Sequence, residues 1–257
     1  MKPPKISVVI PSYNKARFIG QTLDSIVDQE YSSFELIIQD GGSNDGTVEI
    51  IKKFAEKYSY IRWESKKDKG QLDAINKGLG KATGEVLTFI NADDVYESGA
   101  LDTIVKAYME NPDALWFAGR GKVINDKNNE IAKVVTIYKN FLLSLNSRFC
   151  LLVTNYLMQP SVFITRKAWK KFGPFTGTTN FVMEYDLWLK IAGHKMPVVT
   201  DKYLSTFRIE PTTITKTQTE KLLSEDEKVV GKYTKNFVIL FLHKLHNYGR
   251  RLIGGTI

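Results

Sequence analysis

The chain has 257 residues, of which 43% are hydrophobic and 25% charged, and it carries a net charge of +8. That balance excludes a disordered or fibrous chain, and the length suits one large domain or one domain with a small appendage. The single cysteine, Cys150, excludes an intrachain disulfide and points to a reducing, cytoplasmic compartment.

The first residues lead straight into a strand and lack the apolar core of a secretory signal, so no secretion is expected. Residues 6–11 form a short apolar run rich in β-branched side chains, read as a strand covered on both faces. Phe18, Ile19, Leu23, Ile26 and Val27 then recur at helical spacing. The alternation repeats: residues 34–39 strand, 48–58 helix, 61–64 strand, 71–81 helix, 86–90 strand, 101–109 helix and 115–118 strand. Such alternation predicts an α/β fold, a mostly parallel Rossmann-like sheet with helices on both faces. Residues 122–124 and 131–137 flank a polar turn and read as a hairpin. A strand at 162–165, a helix near 166–171 and a helix at 183–192 follow. The expected organisation is a domain over 1–215, its two halves meeting at about residue 119, then a basic amphipathic helical extension over 216–257.

In open parallel sheets ligands bind beyond the carboxyl ends of the strands. Three polar clusters fall there: Pro11-Ser-Tyr-Asn14 after the first strand, Asp40-Gly-Gly-Ser-Asn-Asp-Gly-Thr47 after the second, and Asn91-Ala-Asp-Asp94 after the fourth. Each alone reads as a turn or a helix cap. Turn chemistry does not explain carboxylates gathered at one edge of consecutive strands. An acidic pair facing a nucleotide diphosphate needs a divalent cation between them, and oxygen ligands suit Mn²⁺ or Mg²⁺ rather than Zn²⁺. Neighbouring strand residues point to opposite faces, so Asp94 is assigned to the metal, and Asp93 to the ribose or a bridging role on the same metal.

These motifs, together with Ser7-Val-Val-Ile-Pro-Ser-Tyr-Asn14 and Asp68-Lys-Gly-Gln-Leu-Asp-Ala-Ile-Asn-Lys-Gly78, are similar in order and spacing to those of the family 2 glycosyltransferases with the GT-A fold. The resemblance spans roughly residues 5–210. It implies an inverting transfer of sugar from a nucleotide-diphosphate donor, most often a UDP-sugar, to a glycan or lipid-linked glycan in surface polysaccharide or glycoconjugate synthesis. It also implies that Pro11, Tyr13, Asn14 and Asp40 hold the nucleotide, with Asp68 and Gly70 near it and Asp93 near the ribose.

Inverting transfer requires a group that takes the proton of the acceptor hydroxyl. In Phe181-Val-Met-Glu-Tyr-Asp-Leu-Trp-Leu-Lys190 the resemblance places that base at Glu184, where relatives often carry aspartate. Gln159, in Gln159-Pro-Ser161, resembles the family's acceptor-side segment. Arg208-Ile-Glu210 stands where many relatives read Arg-x-His. None of His194, His243 and His246 reads as a ligand.

The stretch 228–257 holds six Lys or Arg and no Asp or Glu. Residues 228–251 combine those cations with Val, Leu, Ile and Phe, the makeup of a helix lying on an anionic membrane surface, here the inner face of the cell membrane. The alternative is a helix packed on the domain. Nucleic acid is not expected as a partner, since no binding motif accompanies the charge. A nucleotidyltransferase is disfavoured, because the first loop lacks a glycine-rich triphosphate cradle. A nucleotide-sugar binder without turnover is the remaining alternative, kept by glutamate in place of aspartate at 184.

Overall fold

The computed structural model describes residues 2–176, 182–210 and 218–252. The first half runs β1 (Ile6–Ser12), α1 (Ile19–Val27), β2 (Phe34–Asp40), α2 (Thr47–Lys57), β3 (Ile61–Ser65), α3 (Gln71–Lys81), β4 (Val86–Phe89), β5 (Val95–Tyr96) and α4 (Ala100–Glu110). The rest comprises β6 (Trp116–Ile124), α5 (Lys133–Leu145), α6 (Arg148–Val153), a 3₁₀ turn at Gln159–Ser161, β7 (Val162–Thr165), α7 (Arg166–Phe172), α8 (Met183–Ala192), β8 (Val198–Arg208), α9 (Thr219–Tyr233) and α10 (Phe237–Leu252).

One eight-stranded sheet has the order β3-β2-β1-β4-β7-β6-β8-β5. β1 to β4 are parallel, with Ser12 opposite Asp40 and Val9 opposite both Ile37 and Phe89. β7 lies antiparallel to β4 and β6, β5 antiparallel to β8, and β8 parallel to β6. The sheet is therefore mixed: parallel from β3 to β4 and between β6 and β8, with β7 and β5 antiparallel to their neighbours. The chain moves outward from β1 to β3, then returns across β1 to β4, and this reversal opens a crevice at the strand ends.

Alternation of side chains feeds a separate core on each face. Val8, Ile10, Leu36, Ile38 and Phe117 pack with α1, α2 and α4. Val9, Ile37, Trp116 and Ile164 pack with α3 and the helices from α5 to α9. Close contact of α3 with β1 depends on Gly78, where a Cβ would stand 2.3 Å from Val9 Cγ1.

Two expectations change. The hairpin over 122–137 is absent: residues 122–124 extend β6, one antiparallel bridge joins Ile124 to Glu130, and the chain then turns into α5. The apolar stretch at 131–137 therefore leads into an amphipathic helix that starts at Lys133, with Val134 and Ile137 outward. The C-terminal extension is two helices that pack on the domain. Leu223, Val229 and Val230 of α9 are buried, Val229 and Val230 within the main core. Asp186 accepts hydrogen bonds from Lys232 at 3.1 Å and the Tyr233 hydroxyl at 3.2 Å, and His243 Nδ1 lies 2.9 Å from the Val153 carbonyl. Among the described residues no helix is long and apolar enough to cross a membrane.

Candidate active site

The loops after β1 and β2 hold each other. Asp40 is buried, and its carboxylate accepts from the Gly42 and Ser43 N–H groups and from the Ser65 hydroxyl at 3.0, 2.8 and 2.7 Å. Asn14, at φ 50°, donates its N–H to Ser43 Oγ at 2.8 Å and accepts from the Asn44 N–H at 3.1 Å. Gly70 has φ 104°, a conformation that suits glycine alone, and its N–H bonds Asp68 Oδ1 at 2.8 Å. Gly41 lies against the same carboxylate, with a Cβ position 3.1 Å from Asp68 Oδ2.

These loops enclose a cavity of about 820 Å³ at the strand ends. Pro11, Tyr13, Asp68, Gly70, Asp93, Gln159 and Glu184 line it together, drawn from loops across the whole chain. Asn14, Asp40 and Asp94 are not among its lining residues. The first two shape the loops from behind. Tyr13 is 62% exposed, which leaves its ring free to stack on a base instead of wedging into the core.

Asn91-Ala-Asp-Asp94 forms a turn, closed by the Asp94 N–H to the Asn91 carbonyl at 3.1 Å. Its two carboxylates part company. Asp94 is fully buried: Oδ1 accepts the Arg208 N–H at 2.8 Å and Oδ2 accepts from Asn91 Nδ2 at 3.0 Å. Burial first, and the neighbouring Asp93 charge second, push the Asp94 carboxyl well above the usual carboxylate range. Asp93 turns into the cavity and pairs with Lys15, whose ammonium also reaches Glu210 at 3.0 Å. Burial opposes the charge on Lys15, but Asp93 and Glu210 outweigh it and raise its pKa. Asp94, expected to hold the cation, lies inside the protein with one hydrogen bond on each oxygen, whereas Asp93 lines the cavity.

Arg208 is 1% exposed and lines the floor of the cavity. Its guanidinium donates to the Asp93 carbonyl at 2.7 Å, to the Asn125 carbonyl at 2.8 Å and to Asn128 Oδ1 at 2.7 Å, and lies over the Phe18 ring. It is the clasp of the acidic turn.

On the far wall, Glu184 opens α8, half-buried, and lines both this cavity and a second one of about 500 Å³. Gln159, Phe207 and Leu222 also line both. Gln159 Nε2 bonds the Phe89 carbonyl at 2.8 Å, while its buried Oε1 has no partner among the described residues. Burial first, with the charge of Asp226 adding to it, pushes the Glu184 carboxyl up to about 7. Asp186 is turned away and anchors α9.

Residues 7–172 match the family model described as Glycosyl transferase family 2. The chain belongs to this family. An uncharacterised glycosyltransferase of Rickettsia typhi is 24% identical over 250 residues, covering 95% of this chain and 77% of that protein. The glycosyltransferase GlyA of Streptococcus pneumoniae is 34% identical over 106 residues, 41% of this chain and 15% of that one. Among solved structures, a mannosyltransferase from Pyrobaculum calidifontis in complex with GDP-Man and Mn²⁺ aligns with a TM-score of 0.72 at 18% identity, covering 99% of this chain and 72% of that chain. TarS of S. aureus in complex with UDP-GlcNAc aligns with a TM-score of 0.63 at 16% identity, covering 89% of this chain and 71% of that chain. The fold is thus the α/β GT-A fold of family 2 glycosyltransferases.

Sequence reading of this glycosyltransferase missed Lys15, Gln71 and Leu222 of the cavity wall. Lys15 carried a signal, a cation two residues after Tyr13 in a loop facing carboxylates. Leu222 carried none, since only the docking of α9 brings it there. For Tyr13→Ala, loss of a stacking face of about 1–3 kcal/mol should weaken nucleotide binding by about tenfold or more with the melting temperature retained. Calorimetric titration with nucleoside diphosphates checks this.

Proposed function

We propose that the chain transfers a sugar, with inversion, from a nucleoside-diphosphate donor in the larger cavity to an acceptor hydroxyl that enters from the smaller one. The observation carrying this reading is Glu184 at the junction of both cavities, with Asp93 on the donor side. A base at about 7 suits proton removal near neutral pH. Glu184 takes the hydroxyl proton, and the hydroxyl oxygen bonds to the anomeric carbon. The bond from that carbon to the diphosphate oxygen breaks, and its electron pair leaves on the diphosphate. The unpartnered Gln159 Oε1 accepts a hydrogen bond from donor sugar or acceptor.

We assign the cation to Asp93 rather than Asp94. The donor set fits a hard ion: the carboxylate facing the cavity is oxygen-only, and among the described residues no cluster of three or more His, Cys, Asp or Glu forms an all-protein cage. One carboxylate completed by substrate phosphates is a usual mode for Mg²⁺ and serves Mn²⁺ equally. When bound, the ion neutralises charge gathering on the diphosphate. Lys15 and the Arg208 clasp hold Asp93 in place for it.

The base is uridine in the reading that the family resemblance favours. A panel of UDP- and GDP-sugars, assayed for Mn²⁺- or Mg²⁺-dependent release of nucleoside diphosphate, tests the whole proposal. Saturable release from one donor, abolished by EDTA, is expected. Binding without release from any donor, with or without added glycans, would leave a nucleotide-sugar binder and overturn the enzyme reading.

A further inference from the structure

The large apolar side chains that stand exposed are gathered in one region. Among the described residues all of them except Tyr13 and Tyr203 lie on α5, α6 and α10. α5 contributes Val134, Ile137, Tyr138, Phe141 and Leu145, and α6 adds Phe149. α10 contributes Phe237, Val238, Phe241, Leu245, Tyr248 and Leu252. Within α5 and α10 they recur at three and four residues, so each helix packs one side on the domain and turns an apolar stripe outward. The inward sides carry Thr136, Asn140 and Leu143 of α5 and His243 and Asn247 of α10. The three helices adjoin. Tyr138, at the edge of the α5 stripe, stacks on His246 of α10 at 6.0 Å, and His243 Nδ1 lies 2.9 Å from the Val153 carbonyl at the end of α6. An apolar patch of this extent marks a surface that meets a partner.

The charges around the patch say what that partner is. Residues 131–158 and 228–257 contain no Asp or Glu. Lys133, Arg148 and Lys244 are exposed, each directly before an outward apolar residue, and none makes an ion pair among the described residues. Arg250 and Arg251, by contrast, are paired with Asp226, Glu220 and Glu227 of α9. Apolar stripes flanked by unpaired cations complement a partner that is anionic at its surface and apolar beneath, as acidic headgroups over acyl chains are. A second copy of the chain fits worse. A two-fold contact sets the same cations of both chains against one another, with no acid on the face to pair them.

We propose that α5, α6 and α10 form one composite face that seats the chain on an anionic lipid bilayer, with the two stripes at headgroup level and their side chains entering the acyl boundary. This face differs from the one that the sequence places over 228–251. Residues 228–233 close α9, where Val229 and Val230 belong to the core, and half of the outward apolar residues come from α5 and α6 instead. The contact therefore needs the folded domain, because the C-terminal segment alone supplies one stripe of two. The inference is independent of sugar transfer: of the stripe residues only Tyr138 lines a cavity.

Flotation of the full chain with vesicles tests this, using phosphatidylcholine alone and an equal mixture of phosphatidylcholine and phosphatidylglycerol. Partition into the mixed vesicles should exceed that into phosphatidylcholine by about tenfold or more, and should weaken as salt rises. Ile137→Ser and Phe141→Ser on α5, and Phe241→Ser on α10, should each lower partition about tenfold with the melting temperature retained. Lys244→Gln should lower partition into the mixed vesicles about fivefold and leave phosphatidylcholine unchanged. Lipids with brominated acyl chains should quench the fluorescence added by Phe141→Trp and by Phe241→Trp, which reads immersion without removing an apolar group. Equal partition into both kinds of vesicle would overturn the proposal. So would wild-type partition in both α5 serine variants together with an unquenched Phe141→Trp, which would leave the contact to the C-terminal segment alone. A stable dimer that Phe141→Ser dissolves would give the stripes to a second copy and overturn the lipid surface.

Discussion

Glu184→Gln is expected to lower turnover by about 10²–10⁴-fold while nucleoside diphosphate binding stays near that of the wild type. Glutamine keeps the shape of the side chain but cannot take a proton. The pH dependence gives a second signature. The free base is needed, so kcat/KM of the wild type should fall below about pH 7, where the raised carboxyl becomes protonated. That limb should vanish from the residual rate of the variant. Linkage adds a stability readout with a definite sign. The folded-state value lies above the ordinary carboxylate value, so the folded chain binds more protons between the two, and stability falls as pH rises through that window. Glu184→Gln should therefore raise the melting temperature at pH 8 and much less at pH 4. Full activity with an unchanged pH profile would remove Glu184 as the base.

Asp93→Asn and Asp94→Asn should fail in different ways. Asp93 faces the cavity, so its variant should keep its melting temperature and lose cation-dependent donor binding. A loss of about 3 kcal/mol of charge stabilisation corresponds to about 10²-fold in rate. Asp94 is internal, and an amide there puts an N–H₂ group against the Arg208 N–H or Asn91 Nδ2, both donors. Its variant should lose about 1–3 kcal/mol of stability, read as a lower denaturation midpoint. Cation-dependent UDP or GDP titrations, paired with melting curves, separate the two. Intact donor binding in Asp93→Asn, with loss in a fully folded Asp94→Asn, would return the ion to Asp94.

The strands and helices from β1 to α4, apart from the two-residue β5, were legible because each is a run of apolar residues at a clean period, bounded by turn chemistry. Later elements carried weaker marks. β8 alternates poorly, being exposed over Asp201–Tyr203 and buried over Leu204–Thr206, and β5 has two residues. Ile131 to Ile137 is a short β-branched run like a strand, yet the chain continues with apolar residues at helical spacing to Leu145, and the longer pattern wins. Strand alternation does not govern Asp93 and Asp94, which lie in a turn beyond β4, and it could not say which of them faces inward. That choice depends on Arg208, 114 residues away in sequence, and on a turn closed through Asn91. The loops at the strand ends that line the larger cavity were legible because neighbouring strands bring them together. The smaller cavity was not, since its charges come from α5, α9 and α10, which no local pattern joins.

The clasp at Arg208 also bears on how the protein is made. Every loop of the donor cavity up to the acidic turn lies in the first hundred residues, but the turn takes its final form only when the last residue of β8 supplies its N–H and guanidinium. A growing polypeptide holds the nucleotide motifs long before it holds their lock. The acidic turn should thus take its final form late in translation, only after β8 has been made.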